Sequence, residues 1–350
     1  MKGLTQLPKA GLANLPTPLQ ELKNLSALLK GPRIWVKRDD LTGLGLGGNK
    51  ARKIEYLLPD ILEKKTDTIV TGAYIQSNWC TAVSAAARKF GIKVILVKRG
   101  PENYDPKDYD GNHLLHFLLG AEMKIVKPGT DEQVKEEVMR KLREEGRRPY
   151  LLSVGGNSPQ GVAGYMNAML ELVTQTNAMG LGVDYVVHAS GSGGTQAGTV
   201  IGTKALNTGI KVICSSTGSR TREQGTRLVL ELIGKTLKFF GLDVPIGEED
   251  VRIYDNYAGA GYGFMTLKKA EAIQILAQTE GLIIDPVYTA SAMACLIDLC
   301  RQSFFKKTDV VVFIHTGGQA GLFPYKECIK AFGLGQPLPW SAPPWYPASS

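Results

Sequence analysis

Short runs of β-branched and aliphatic residues alternate with longer stretches of helical periodicity from about residue 65 onward. The runs D-T-I-V-T-G-A-Y-I (67–75), K-V-I-L-V (93–97), M-K-I-V (123–126) and P-Y-L-L-S-V (149–154) are bounded by turn residues and predict buried strands. D-Y-V-V-H-A-S, K-V-I-C-S-S, V-R-I-Y-D and the strongly apolar D-V-V-V-F-I-H follow in the second half. Between the runs, T-A-V-S-A-A-A-R-K-F-G and T-D-E-Q-V-K-E-E-V-M-R-K-L-R-E-E-G predict helices, the second opened by a threonine cap and closed by a glycine. Strand and helix in alternation build mostly parallel sheets with helices on their faces. About eight strands point to two sheets in two α/β domains rather than one.

Composition narrows the class. The chain has 350 residues, 43% apolar and 21% charged, which is ordinary for a soluble globular protein. Its net charge of +8 is scattered, without a basic stripe interleaved with aromatics, so a nucleic-acid partner is not indicated and a modest attraction for small anions suffices. The five cysteines, an odd number without C-x-x-C spacing, suggest neither a disulfide framework nor a zinc site, but reduced thiols in a cytoplasmic setting. His113 and His116, in G-N-H-L-L-H-F, have no third ligand nearby in sequence and read as packing residues; no metal is expected. No window approaches the ~20 apolar residues of a membrane span. The proline-rich tail G-Q-P-L-P-W-S-A-P-P-W-Y-P-A-S-S is expected to drape over the surface or fray.

Three short segments carry candidate chemistry. In G-L-G-L-G-G-N-K-A-R-K-I-E-Y-L-L (43–58), glycines precede Lys50 and a helical pattern follows, yet Asn49 separates Gly48 from Lys50 and Ala51 replaces a hydroxyl, so a P-loop fails on spacing. G-S-G-G-T-Q-A-G (191–198) lies between a predicted strand and the helical segment T-V-I-G-T-K-A-L, where backbone amides and a helix N-terminus can hold an anion. The dinucleotide pattern is broken at Gln196, and Ser192 and Thr195 suit a terminal phosphate monoester; a tight turn without a ligand stays open. Q-S-N-W-C-T (76–81) places Ser77 and Asn78 at another strand-to-helix junction, as simple caps or as a carboxylate cup.

A lysine, a phosphate cup and a carboxylate cup together describe pyridoxal-phosphate chemistry. The motifs G-G-N-K-A-R-K-I-E-Y, I-Q-S-N, S-G-S-G-G-T-Q-A-G, A-G-Y-G, D-P-V-Y-T and F-I-H-T-G-G-Q-A-G-L-F, in this order, resemble the family of D-cysteine desulfhydrases and 1-aminocyclopropane-1-carboxylate deaminases. The likeness runs from L-P-T-P-L-Q-E-L at Leu15 to Tyr325. It implies fold-type II: two open three-layer αβα domains with mostly parallel sheets, a larger cofactor-binding domain from 1–54 plus 156–350 and a smaller inserted one at 55–155. It also implies a homodimer, pyridoxal 5'-phosphate as cofactor and a small amino acid as substrate. Lys50 resembles the Schiff-base lysine, and the same amine would shuttle the α-proton. Ser192, Gly193, Gly194 and Thr195 would hold the phosphate, Asn78 the ring-hydroxyl side and Ser77 the substrate carboxylate. Tyr262 and Tyr288 resemble the paired active-site tyrosines, although tyrosines also pack with only the hydroxyl at a surface.

The resemblance also bears on the reaction. Deaminases of this kind have a glutamate after the D-P-V-Y tyrosine, whereas this chain has Thr289 there and Thr316 in H-T-G-G, neutral hydroxyls that support a protonated ring nitrogen less than a carboxylate would. This favours β-elimination, with D-cysteine going to pyruvate, sulfide and ammonia. The chain departs from the family at Trp79, Cys80 and Thr81, where histidine and then arginine are usual, and at Ala260 and the following F-M-T. These changes adjoin the expected pockets and keep three alternatives open: a 1-aminocyclopropane-1-carboxylate deaminase, an L-cysteate sulfo-lyase and a non-catalytic ligand-binding relative.

Overall fold

Each run predicted as a strand from residue 67 onward forms one, because parallel strands covered on both faces need continuous apolar sequence. A computed structural model describes residues 2–102, 104–218 and 220–345. Among them the strands are β1 (Leu19–Glu21), β2 (Arg33–Lys37), β3 (Thr68–Tyr74), β4 (Lys93–Arg99), β5 (Glu122–Val126), β6 (Pro149–Leu151), β7 (Tyr185–Ser190), β8 (Lys211–Ser216), β9 (Arg252–Tyr254) and β10 (Val310–Ile314). They form a six-stranded sheet ordered β1-β2-β10-β7-β8-β9 and a four-stranded sheet ordered β5-β4-β3-β6. Every pairing is parallel except β1 with β2. The chain has fold-type II architecture, with helices on both sheets and the strands of the smaller sheet confined to the middle of the sequence.

β1 and β2 were not among the expected strands. β2 is R-I-W-V-K, three apolar residues between two charges, and it pairs with β10 from the far end of the chain, Ile34 opposite Val311. Its strand state is thus fixed by a partner remote in sequence, and β1, L-Q-E, is an edge strand without a hydrophobic run of its own. The expected threonine cap also differs. Thr130 precedes the Asp131–Glu144 helix, but its hydroxyl donates to the Lys127 carbonyl at 2.8 Å instead of accepting a helix amide. The tail drapes: Trp340 and Trp345 pack on Tyr325 at ring separations of 5.3 and 5.0 Å. Residues 346–350 of that tail lie outside the described residues.

The Asn49–Glu63 helix links the two halves. Tyr56 joins a core with Val162, Ala163 and Met166 of the Pro159–Ala178 helix, while Leu57, Leu58 and Ile61 join the core under β3 and β4. The expected boundary at 54/55 falls inside this continuous helix. Each parallel sheet presents the C-terminal ends of its strands to one cavity, through Ala73 and Tyr74 of β3, Arg99 of β4, Ala189 and Ser190 of β7 and Thr316 beyond β10. Open α/β sheets bind ligands at this end, where strand termini and helix N-termini leave polar backbone unpaired.

Candidate active site

Lys50 reaches the cavity because the chain before it passes unusually close to other backbone. Gly48 has φ of +111°, and a Cβ there would lie 2.9 Å from the Thr316 carbonyl. Its N–H donates to the Asp39 carbonyl at 2.9 Å, and that of Asn49 to Thr316 at 3.0 Å. The glycine pair therefore serves a tight backbone crossing that opens the Asn49–Glu63 helix, with Lys50 its second residue. Burial lowers the Lys50 pKa to about 8, against the pull of the Asp285 carboxylate, so roughly a tenth of the amine is neutral at pH 7, far more than for a free lysine. One helical turn on, the amine of Lys53 donates to the Gly155 carbonyl at 2.9 Å; burial and the charge of Lys50 hold its pKa well below the usual lysine range.

The glycine loop after β7 turns into a helix sooner than the sequence indicated. The Gly194–Ala205 helix begins inside the motif, with Gly193 at φ +87° before it, so Thr195 and Gln196 belong to its first turn. Its unpaired N-terminal amides face the cavity, which Ser192, Gly193 and Thr195 line; Gly194 is buried beside them. A Cβ on Gly194 would sit 2.6 Å from Lys53 Nζ, so the lysine stands directly against this loop. Asn49 Nδ2 donates to the Thr195 hydroxyl at 2.9 Å, and the Asn157 amide donates to the Ser192 carbonyl. Lys53, Asn157 and Thr217 were not singled out from sequence. Only Lys53 had a signal, its K-x-x-K spacing on one face of a helix.

The cavity has a volume of about 470 Å3. Four buried polar atoms of its lining residues, Arg99 Nε, Asn157 Oδ1, Gln196 Oε1 and Thr217 Oγ1, have no hydrogen-bond partner among the described residues. Leaving buried polar atoms unpaired is costly, so such a group of them marks a place for a polar ligand. Together with the helix N-terminus, the Lys53 Nζ donor and the Lys50 amine, these groups fit a phosphate monoester that also carries a carbonyl, as pyridoxal phosphate does.

The opposite wall gathers most of the remaining predicted residues. Ser77 is the N-cap of the Asn78–Lys89 helix, its hydroxyl accepting from Cys80 N–H at 3.4 Å, and Asn78 opens that helix beside it. Tyr262 and Tyr288 share a 2.7 Å hydrogen bond between their hydroxyls, and Tyr74 stacks on Tyr262 at 4.4 Å. Burial raises both paired phenols well above the usual tyrosine range, so they remain protonated donors. Thr316 lines the cavity. Trp79 also borders it but is 2% exposed, and its indole N–H is spent on Thr71 Oγ1 at 3.0 Å. Thr289 is not brought to the cavity wall. Its hydroxyl donates to Asp285 Oδ1 at 2.6 Å and accepts from the Asp285 N–H at 2.7 Å, inside a buried turn whose amides of Val287, Tyr288 and Thr289 all point at that carboxylate.

The family model described as "Pyridoxal-phosphate dependent enzyme" matches residues 11–317, and the chain belongs to that family. Within it the chain groups with 1-aminocyclopropane-1-carboxylate deaminases and D-cysteine desulfhydrases. It is 38% identical over 338 residues to a 1-aminocyclopropane-1-carboxylate deaminase of Burkholderia vietnamiensis, covering 93% of this chain and 99% of that protein. It is 36% identical over 325 residues to a D-cysteine desulfhydrase of Salmonella typhi, covering 92% of this chain and 97% of that one. A crystal structure described as an ACC deaminase homologue superposes with a TM-score of 0.86 at 37% identity, covering 95% of this chain and 98% of the other. The protein is a pyridoxal-phosphate-dependent enzyme of a family acting on small amino acids.

Proposed function

We propose that the enzyme eliminates the β-substituent of a small amino acid, with D-cysteine favoured: D-cysteine and water give pyruvate, hydrogen sulfide and ammonia. The observation that carries this reading is the charge of the cavity wall around Thr316. The acids among the lining residues, Asp131 and Glu132, are ion-paired with Arg99 and Lys135, the nearby Asp285 carboxylate is buried behind the wall and taken up by the amides of Val287, Tyr288 and Thr289, and Thr316 places a neutral hydroxyl on the wall itself. A neutral partner holds a pyridine nitrogen protonated less firmly than a carboxylate does, which suffices when a good leaving group departs and serves ring opening poorly.

When bound, pyridoxal phosphate supplies the electron sink that acidifies the α-carbon and releases the β-substituent. Ser192, Gly193, Gly194, Thr195 and Lys53 hold its phosphate, and Lys50 is its covalent anchor. Freed by substrate, the Lys50 amine takes the α-proton, for which its pKa of about 8 is well matched. Ser77 and the amides of its helix hold the substrate carboxylate, and Asn78 meets the ring hydroxyl. The hydroxyl pair of Tyr262 and Tyr288 delivers a proton to the departing sulfur. The test is an absorbance spectrum of purified protein with pyruvate, 2-oxobutyrate, sulfide and sulfite assayed against D-cysteine, L-cysteine, L-cysteate and the cyclopropane amino acid. Sulfide and pyruvate from D-cysteine are expected, with the visible cofactor band and turnover both lost in Lys50→Ala; 2-oxobutyrate from the cyclopropane substrate alone would replace this reading with the deaminase.

A second reading, release of sulfite from L-cysteate, is favoured by Arg99. It lines the cavity with its guanidinium 4.7 Å over the Tyr74 ring, Nε without a hydrogen-bond partner among the described residues and Asp131 at 3.4 Å, a position suited to an anionic side chain. We assign 1–54 and 156–350 to the larger, cofactor-binding domain and 55–155 to the inserted one, in keeping with the strands of the smaller sheet. We further propose a cytoplasmic homodimer; the buried free cysteines accord with a reducing compartment, and light scattering during gel filtration tests the dimer.

A further inference from the structure

Behind the Ser77–Asn78 turn lies a buried polar chain that the proposed chemistry does not use. Lys98, at the end of β4, approaches Nδ1 of His116 at 2.9 Å and also contacts Nδ1 of His113, both on the Gly111–Leu118 helix. All three side chains are fully buried. His116 Nε2 lies 3.1 Å from the Ser77 carbonyl and 3.0 Å from Thr81 Oγ1. Thr81 Oγ1 lies 2.7 Å from Asn112 Oδ1, and Asn112 Nδ2 lies 2.8 Å from Asn78 Oδ1.

Donor and acceptor inventories fix the direction of every link. A carbonyl oxygen can only accept, so the single Thr81 hydroxyl proton is committed to Asn112 Oδ1, and His116 Nε2 must be the donor to Ser77 and Thr81. Burial and the Lys98 charge keep the pKa of His116 well below the usual histidine range, so the ring is neutral and its Nδ1 must accept. The lysine amine supplies that proton. At the far end Asn112, whose Nδ2 also lies 3.4 Å from the Gln76 carbonyl, donates to Asn78 Oδ1, which turns the Asn78 NH2 group away from Asn112; its Nδ2 comes within 2.8 Å of a Cβ built on Gly318.

We propose that Lys98 is a positioning residue for the cofactor site: through His116, Thr81 and Asn112 it sets the amide orientation of Asn78, so that the NH2 group rather than the carbonyl faces the ring hydroxyl. This rests on the assignment of Asn78 to the ring hydroxyl above. Without the lysine, His116 keeps its Nε2 proton toward the Ser77 carbonyl but its Nδ1 is left a buried acceptor with no donor, which favours a shift of the ring away from Ser77 and Thr81 and loosens the chain.

The experiment titrates pyridoxal phosphate into the full-length apo-enzyme and follows the pH midpoint of the visible band, for Lys98→Met, Thr81→Val, their combination and Asn78→Ala. Each of the first two is expected to weaken the cofactor Kd by roughly two- to tenfold, the worth of one hydrogen bond, and to move the midpoint in the same direction. The double variant should lose no more than either single one, since both cut the same chain. Native Kd and midpoint in Lys98→Met or Thr81→Val, or losses that multiply in the double variant, would overturn the proposal. If Lys98→Met does not fold, Thr81→Val decides alone. Native cofactor binding in Asn78→Ala would remove the assignment of Asn78 itself, and the proposal with it; a weakened Asn78→Ala beside a native Lys98→Met sinks the proposal only.

Discussion

The end of the cavity assigned to the phosphate and the end assigned to the substrate are built from different materials. At the first, backbone amides of Gly193, Gly194 and Thr195 open the helix at the cavity and one lysine, Lys53, stands against them. At the second, side chains do the positioning: Ser77 and Asn78 from one helix start, Tyr262 from a loop and Tyr288 ahead of the Thr289–Arg301 helix, each held by partners from elsewhere in the chain. Backbone donors need only a turn of the right shape, whereas side-chain donors need every neighbour to be right. The first end should therefore respond to single changes in charge or sterics, and the second to changes in networks.

Four substitutions or titrations sharpen this contrast. The largest expected effect is at the backbone end: Lys53→Met should weaken pyridoxal-phosphate binding by about 10- to 100-fold, as for a buried charged hydrogen bond, with little change in the pH midpoint of the visible band. A Kd within twofold of native would mean that the amides alone hold the phosphate. Gly48→Ala acts on stability rather than on cofactor binding. A Cβ 2.9 Å from the Thr316 carbonyl at φ +111° should cost on the order of 2–3 kcal/mol, read as a lower urea midpoint of the apo-enzyme. An unchanged midpoint would show that the crossing can open without loss.

At the side-chain end, Thr289→Val breaks its hydrogen bonds with Asp285, not a contact in the cavity wall. It should cost about 1–2 kcal/mol of stability and leave the ratio of elimination to ring opening unaltered, while Thr316→Leu should change that ratio. A shifted ratio in Thr289→Val would return that residue to the reacting end. The smallest effect concerns Lys269, whose ammonium donates to the carbonyls of Ala258 and Phe264 beneath the Tyr262 loop and whose pKa burial lowers to about 7. Between that value and the unfolded 10.5 the unfolded chain binds more protons, so Lys269 adds a rise in stability with pH of on the order of 1 kcal/mol from pH 7 to 8.5, beside those of Lys50 and Lys53. Cysteines raised by burial oppose this above about pH 9. In Lys269→Met the slope should flatten; an equal slope would assign the rise to other groups.

The contrast also explains what could be read in advance. The strands from β3 to β10 announced themselves because apolar continuity is a local property, and G-S-G-G-T-Q-A-G was legible because a glycine loop after a strand is a local signal of anion binding. β2 was missed because three apolar residues between Arg33 and Lys37 become a strand only when β10 lies beside them. Thr289 was expected near the ring nitrogen by its place after Tyr288, yet chain adjacency says nothing about which way a helix start faces, and the hydroxyl turned to Asp285. Tyr74, Asn157, Thr217 and the Lys98 chain had no motif, since each matters through neighbours distant in sequence.

By itself, the sequence determined the alternation of strand and helix, the crossing glycines before Lys50, the anion loop and the motif order that identifies the family, all properties of residues close together in the chain. Tertiary structure alone decided that Lys53 stands against the anion loop, that Thr289 serves a buried turn, that Tyr74 stacks on the tyrosine pair and that a lysine on β4 communicates with Asn78. Those outcomes depend on which hydrogen-bond donors and acceptors meet once water is excluded, and the packing of the two sheets brings them together.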